Sequence, residues 1–251
     1  MNIDSLAQQY HEDGFAMARH VFSADEISEL QRHLHEYIRT VAPRLVQGRV
    51  YYDGTPRGGV KALHKMEENS AYFEDLRTDE RLVKMVGAIF AEATVKPCNV
   101  MFFDKLSRSD AVSPPHQDNT FQCWDPPEAL VATIAVDRST PDNGVLICHR
   151  GSHRSGLLPH RSSGVLGFSR CLTKPVDEAT CPAVELCMDP GDVALHSVNT
   201  IHHSGPNRTD RSRRQIGIGY ISSRVRRDER AWAQYQEDLE RLHAAKADAK
   251  T

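Results

Sequence analysis

Apolar residues recur along this chain at two spacings, and the change from one to the other divides it. Up to about residue 92 the longer apolar runs repeat as in helices. Residues 3–11 read as a short polar helix that Gly14 breaks, and residues 15–21 as a strand. Ser23-Ala-Asp-Glu26 forms a capping box, in which the Ser23 hydroxyl accepts from the Glu26 amide while the Glu26 carboxylate reaches back. Ile27, Leu30, Leu34 and Ile38 then fall on one helical face. Residues 70–92 read as helical, capped at Thr78 ahead of Leu82, Val83, Val86, Ile89 and Phe90. Between these helices, residues 45–68 show no clean period. Tyr51, Tyr52, Asp53, Gly54, Pro56, Gly58 and Gly59 crowd together there and predict a long loop, of the kind that serves as a lid or binding loop.

After residue 94 the runs shorten. Strands are expected at 95–103, 130–136, 145–148, 183–186, 193–195, 200–203 and 215–221, separated by Gly, Pro, Asp and Asn. Helices first and a run of strands afterwards predict an α+β, mainly β domain with a double-sheet sandwich or jelly-roll core, and argue against a βαβ fold. The whole of 1–251 is expected to be one domain, with the strand core at about 95–224. From Arg227 the chain reads as a charged helical tail that frays over 244–251.

Hydrophobic residues make up 39% and charged residues 26% of the 251 residues, which suffices for a real core. The formal net charge of −3 disfavours nucleic acid as the partner, because phosphate binding needs a basic excess. The N-terminus has no basic segment followed by an apolar one, and no run approaches a membrane span. A cytoplasmic protein without a membrane partner is therefore expected. Six cysteines without a CxxC pair read as reduced thiols. GxGxxG, GxxxxGKS and GxSxG motifs are all missing from the sequence.

Candidate chemistry begins at Pro114-Pro115-His116-Gln117-Asp118. On an extended chain the His116 and Asp118 side chains point the same way and can converge on one metal ion. A third ligand must come from another strand. Two imidazoles and one carboxylate leave positions open on non-haem iron(II) for an oxidant and a co-substrate. With 13 His and 34 acidic residues, roughly two His-x-acid matches arise by chance, so the tripeptide needs support. A second segment supplies it. A Gly191-Asp192 turn leads into a strand, then Ile201-His202-His203-Ser204-Gly205-Pro206-Asn207, then Arg213-Arg214. An arginine here suits a 2-oxo diacid, because guanidinium forks onto a carboxylate as lysine cannot.

Taken together, HEDGFAMARHVFSADEISEL, PPHQDNTFQCW, PDNGVLICHRGSH and PGDVALHSVNTIHHSGPNRTDRSRRQIGIGY resemble the phytanoyl-CoA dioxygenase family of Fe(II)/2-oxoglutarate oxygenases, over about residues 8–224. The resemblance implies a double-stranded β-helix (jelly-roll, cupin-like) core with helices outside it. It implies iron on His116, Asp118 and His202, with His202 selected over His203 by the following Ser-Gly-x-Asn. It also implies 2-oxoglutarate anchored by Arg213 with help from Ser204. Arg214, the next candidate, faces the opposite side of the strand. Where many relatives carry Trp before an Ala-Leu-Asp segment, this chain has Thr133-Ile134-Ala135-Val136-Asp137. Thr133 offers a hydroxyl to the co-substrate, and Asn99, placed near the metal on the preceding strand, is a further expected 2-oxoglutarate contact.

Asn119, Phe121 and Trp124 follow the metal motif and are expected to shape the substrate pocket. Phe103 shares a strand face with Asn99. Lys105 is either a co-substrate contact or a salt-bridged surface lysine. Arg57, Lys61, His64 and Lys65 lie in the long loop and would grip an anion if it is a lid; solvated charge is the alternative, as core packing is for Phe103 and Trp124. His33 and His35 sit on a remote helix, and His149 has no assigned role. The implied reaction uses O2 and 2-oxoglutarate, releases succinate and CO2, and hydroxylates or otherwise oxidises a small polar or anionic molecule such as a phosphonate, an amino acid or a natural-product intermediate. Halogenating relatives replace the metal-binding carboxylate with a small residue, so Asp118 favours hydroxylation. A catalytically silent metal-binding relative, or a cupin-like metalloenzyme without 2-oxoglutarate, stands as the alternative. Monomer and homodimer are both open.

Overall fold

In the computed structural model of the protein, residues 2–46, 48–53, 58–165 and 168–248 are described. The chain opens with α1 (Ile3–Asp13), whose first amides donate to the Asn2 side chain and whose end is turned by left-handed Gly14. Strand β1 (Phe15–Ala18) follows, then α2 (Ala24–Thr40) behind the expected capping box: Glu26 N donates to Ser23 Oγ at 3.3 Å and Ser23 N to Glu26 Oε2 at 2.8 Å.

The expected long loop is instead largely a hairpin, β2 (Val50–Tyr52) and β3 (Val60–His64), laid against the edge of a sheet. Its strands are too short, and too interrupted by Gly and Pro, to register as period-two runs. Residues 54–57, including Arg57, lie outside the described residues. The stretch 70–92 is two helices, α3 (Ala71–Leu76) and α4 (Glu80–Phe90). Asp79, not Thr78, caps the second, accepting from Arg81 N at 2.9 Å; the Thr78 hydroxyl donates backwards to Asp75 O.

The remaining elements are β4 (Lys96–Lys105), β5 (Ser113–His116), the single turn α5 (Asn119–Gln122), β6 (Trp124–Asp125), β7 (Ala129–Ala135), β8 (Leu146–His149), β9 (His160–Val165), β10 (Phe168–Leu172), β11 (Ala183–Glu185), β12 (Val193–Ser197), β13 (His202–Ser204), β14 (Arg213–Ile221), β15 (Arg226–Arg227) and α6 (Glu229–Asp248). The β9–β10 hairpin was not legible in its polar sequence. Helix α6 runs from Glu229 to Asp248. No helix among the described residues is long and apolar enough to cross a membrane.

The strands form a seven-stranded sheet in the order β1-β12-β7-β14-β4-β3-β2 and a four-stranded sheet in the order β11-β8-β13-β5, with two small two-stranded pairs. Pairing is antiparallel throughout the described strands, and the two larger sheets build the expected jelly-roll core. Alternate residues of the large sheet do different work. Val100, Phe102, Ala132, Ile134, Leu195, Ile216, Ile218 and Tyr220 face outward and share one core with Leu30 and Leu34 of α2 and Met85, Val86 and Ile89 of α4. Each Val, Leu, Ile, Met or Phe of this set contributes about 1.5–3 kcal/mol by burial, which clamps the helices to the sheet. The intervening residues face the smaller sheet. One end of that space is plugged by Phe15, Ala135, Cys148, Leu186, Met188 and Ala194. The rest is polar.

Candidate active site

Register brings the imidazoles together. His202 of β13 stands opposite His116 of β5, and the ring centroids are 4.2 Å apart. His116 Nδ1 points at Pro114 O at 2.7 Å and His202 Nδ1 at Thr200 O at 3.0 Å. Donation from both Nδ1 atoms makes Nε2 the lone-pair nitrogen of each ring, the form that ligates a metal. Asp118 arrives differently from the extended arrangement expected. Strand β5 ends at His116, and Asp118 is αR (φ −61°, ψ −29°) at the head of α5. The intervening Gln117 is fully buried and bolts this corner down: Nε2 donates to Gly156 O and Asn199 O at 2.8 and 2.7 Å, and Oε1 accepts from Leu158 N.

Asp118 Oδ1 then lies 3.6 Å from His116 Nε2 and 3.7 Å from His202 Nε2. The ligand atoms of His116, Asp118 and His202 all fall within 4.8 Å of one another. Atoms each about 2.1 Å from one ion stand about 3–4 Å apart, so this donor set suits a metal ion. Burial alone would raise the Asp118 pKa, but the surrounding rings of His202, His116 and His196 hold it well below the usual range. Burial, with the His116 ring beside it, pushes His202 well below the ordinary histidine range. A carboxylate and a neutral imidazole are the ligating forms.

Two neighbouring pairs separate cleanly. His203 turns outward and stacks on His149 at 5.3 Å, whose Nδ1 faces Cys181 O at 3.0 Å, so His149 belongs to the far surface of the small sheet. Arg214 also turns outward and forks onto Asp137 at 2.7 and 2.8 Å. Arg213 turns inward, is 4% exposed, and donates to Gln215 Oε1 and Gly144 O. Gly144 has φ +79°, and a Cβ there would come within 2.8 Å of Gly205 O, so only glycine fits this contact.

Lys105 stands directly opposite Arg213 in the β4–β14 pair. It is not the surface lysine considered above: it is 8% exposed and donates to Ala111 O at 2.7 Å and to Ser204 O at 3.5 Å. Among the described residues, neither Arg213 nor Lys105 has a carboxylate within 4.0 Å. Burial, then Arg213 and Lys61, push Lys105 down to about 7, and burial lowers Arg213 to about 10. Two buried cations side by side fit the carboxylate of an anionic ligand.

The other expected residues divide. Ser204 and Thr133 are buried on the inner faces, Thr133 opposite Gly217. Asn99 lies beside Gly219, at the opposite end of the β4–β14 pair from Arg213, so the two cannot grip one carboxylate. Phe103 is half-buried on the inner face, its ring 6.2 Å from His64. Phe121 reaches the site, 5.7 Å from the His116 ring. Lys61 is half-buried, and burial lowers its pKa.

Four expectations are corrected. Asn119 spends its side chain closing the α5 turn, donating to Trp124 O at 3.1 Å and accepting from Trp124 N at 2.8 Å. Trp124 packs with Ala129, Val198, Ile221 and Val225, and Arg227 lies over its ring at 4.4 Å. Lys65 is half-exposed and pairs with Glu68 at 3.4 Å. Burial pushes His64 down to about 4, so it carries no charge to grip an anion at neutral pH.

Two site residues escaped the sequence reading. His196 of β12 brings Nε2 to 3.3 Å from Asp118 Oδ2; its alternation with Ala194 on one strand face was the available signal. Tyr235 of α6 meets Phe121 at 6.1 Å. It is held by Arg170, whose guanidinium lies 4.8 Å from its ring and pairs with Asp238 at 2.5 Å. In so charged a helix only Trp232 and Tyr235 mark this docking.

The phytanoyl-CoA dioxygenase (PhyH) family model matches residues 10–215. A probable alpha-ketoglutarate-dependent hypophosphite dioxygenase of Stutzerimonas stutzeri is 28% identical over 226 residues, covering 86% of this chain and 77% of the relative. The peroxisomal phytanoyl-CoA dioxygenase of Rattus norvegicus is 26% identical over 238 residues, covering 88% and 70%. In fold, the chain is similar to the non-heme alpha ketoglutarate dependent epimerase SnoN from nogalamycin biosynthesis, with a TM-score of 0.71 at 21% identity over 89% of this chain and 84% of that one. A match running from α1 into β14, across both segments that bring the His-Asp-His group together, means that this chain belongs to the phytanoyl-CoA dioxygenase family.

Proposed function

We propose that His116, Asp118 and His202 hold iron(II) in this non-haem, 2-oxoglutarate-dependent dioxygenase, and that the enzyme hydroxylates a small polar or anionic molecule. The observation that carries the reading is the pairing of two features inside one barrel. Three convergent ligand atoms stand within 4.8 Å of one another, and two buried cations, Arg213 and Lys105, have no acid partner among the described residues.

Bound iron(II), with 2-oxoglutarate and O2, supplies an oxidant that replaces a substrate hydrogen with hydroxyl and leaves succinate and CO2. The residues do the rest. Arg213 and Lys105 bind the distal carboxylate of 2-oxoglutarate, and the Ser204 hydroxyl assists them. Thr133 and Asn99 line the inner face, Asn99 away from Arg213. Phe121, Tyr235 and Phe103 exclude water from the mouth, which strengthens every electrostatic contact behind them. Lys61 draws an anionic substrate toward that mouth. Asp118 leaves no room for a halide and so favours hydroxylation. A relative named for hypophosphite, a small oxyanion, supports a substrate of that charge and size.

The test is succinate formation by the iron-loaded protein with hypophosphite, methylphosphonate, an amino-acid pool and phytanoyl-CoA in turn. Substrate-dependent succinate is expected with a small polar or anionic compound. Turnover with phytanoyl-CoA alone would overturn the substrate assignment, and no succinate with any of them would overturn the activity.

A further inference from the structure

We infer that His196 is a positioning residue that fixes which oxygen of Asp118 faces the metal; this rests on the iron reading above. His196 is 3% exposed and sits on the inner face of β12. That strand is paired on both sides, His196 standing opposite Phe15 of β1 and Val131 of β7. Its ring is therefore carried by a strand held on both sides. Asp118, by contrast, sits on a one-turn helix, and the terminal torsion of an aspartate is broad and nearly two-fold. Left alone, either oxygen could turn inward.

The two oxygens have different neighbours. Oδ1 is the one 3.6 and 3.7 Å from the Nε2 atoms of His116 and His202. Oδ2 is the one 3.3 Å from His196 Nε2. A carboxylate only accepts, so His196 donates from Nε2. That tautomer leaves a lone pair on Nδ1, which is buried without a partner in the structure. A proton on Nδ1 would instead be an unmet buried donor. The rings of His196 and His202 are 4.5 Å apart, close enough to suggest a fourth ligand. Two observations assign the donor role. His196 approaches the oxygen that faces away from the other imidazoles, and the group of mutually close ligand atoms is His116, Asp118 and His202 without it.

The experiment is equilibrium binding of Co(II) to the metal-free full chain, followed by visible absorption, with His116→Ala as the control that loses a ligand. The loss of an outer hydrogen-bond partner typically costs 10–100-fold in metal affinity, so His196→Phe should bind about that much more weakly. His196→Gln places an amide nitrogen near the position of Nε2 and should recover most of the loss, whereas His196→Asn, which is shorter, should not. X-ray absorption should count two imidazoles on cobalt in both the wild type and His196→Gln. Melting of the metal-free variants confirms equal folding; if His196→Phe unfolds, the Gln and Asn pair decides. Binding by the Phe variant, or by the Asn variant, within about twofold of wild type overturns the inference. So does a folded Gln variant no better than Asn, or a third imidazole on cobalt. Failure of the wild type itself to bind Co(II) is a different result, and sinks the iron reading with it.

Discussion

The two faces of the large sheet are made by the same strands and could hardly differ more. On β14, Ile216, Ile218 and Tyr220 point outward into helices α2 and α4, while Arg213, Gln215, Gly217 and Gly219 point inward. On β12, Val193 and Leu195 point outward and Ala194 and His196 inward. The outer face is apolar and close-packed, and it accounts for the stability of the fold. The inner face holds cations and imidazoles whose burial costs free energy that ligands must offset. Period-two alternation thus lets one strand carry an anchor and a reactive group on successive residues, with the anchor limiting how far the reactive group can move.

The contrast can be broken at its strongest point by removing a metal ligand. Asp118→Ala or His202→Ala should abolish metal binding and lower 2-oxoglutarate turnover by more than the roughly 10–100-fold that loss of an outer partner costs. Thermal melting of the metal-free variants should stay close to wild type. Next comes the co-substrate anchor. Arg213→Ala forfeits a buried charge-assisted pair, about 2–5 kcal/mol, so the KM for 2-oxoglutarate should rise at least about thirtyfold while Co(II) affinity is unchanged. Arg213→Lys should rescue little, because the fork is lost.

The outer face should behave in the opposite way. Ile218→Ala should lower unfolding stability by about 2–5 kcal/mol in a denaturant titration and leave the KM for 2-oxoglutarate alone. Arg214→Ala sharpens the comparison further, since it removes the neighbour of the anchor. It should lower stability by about 1–3 kcal/mol through loss of the Asp137 fork, with co-substrate affinity retained.

The smallest effect expected is on pH dependence. Lys105 is held near 7 by burial and by Arg213, so it is protonated below that value and neutral above it. Binding an anion needs the charged form, so the KM for 2-oxoglutarate should rise as pH increases from about 6 to about 9. Lys105→Met should start from a higher KM and show a flatter profile. A steep profile in that variant would assign the titration to another group.

Much of this was legible in the sequence, and what was not has a physical reason. His116 and Asp118 are readable because a ligand set restricts residue type, the family resemblance singles out His202 and Arg213, and strand parity then sends Arg214 to the other side. The strands announce themselves as short β-rich runs between Gly, Pro, Asp and Asn turns. Lys105 was ambiguous because its meaning comes from the β4–β14 register, which joins residues more than a hundred positions apart. The β2–β3 hairpin was hidden by its short strands and interrupting glycines. Asn119 and Trp124 follow the metal motif closely in sequence, but the α5 turn points them into its own closure and a satellite core. His196 looks like one more apolar-strand position until Asp118 is folded against it. In α6 only Trp232 and Tyr235 distinguish a docked helix from a solvated one.

The central claim is that one interior holds both the metal and 2-oxoglutarate, bound to each other. Anaerobic addition of Fe(II) and then 2-oxoglutarate tests it directly, because chelation of iron(II) by the 2-oxo acid produces a visible charge-transfer absorption. The wild type should develop that band, Asp118→Ala should not, and Arg213→Ala should need far more 2-oxoglutarate to reach it. Iron bound by the wild type with no band at saturating 2-oxoglutarate, or an undiminished band in Asp118→Ala, would contradict the account.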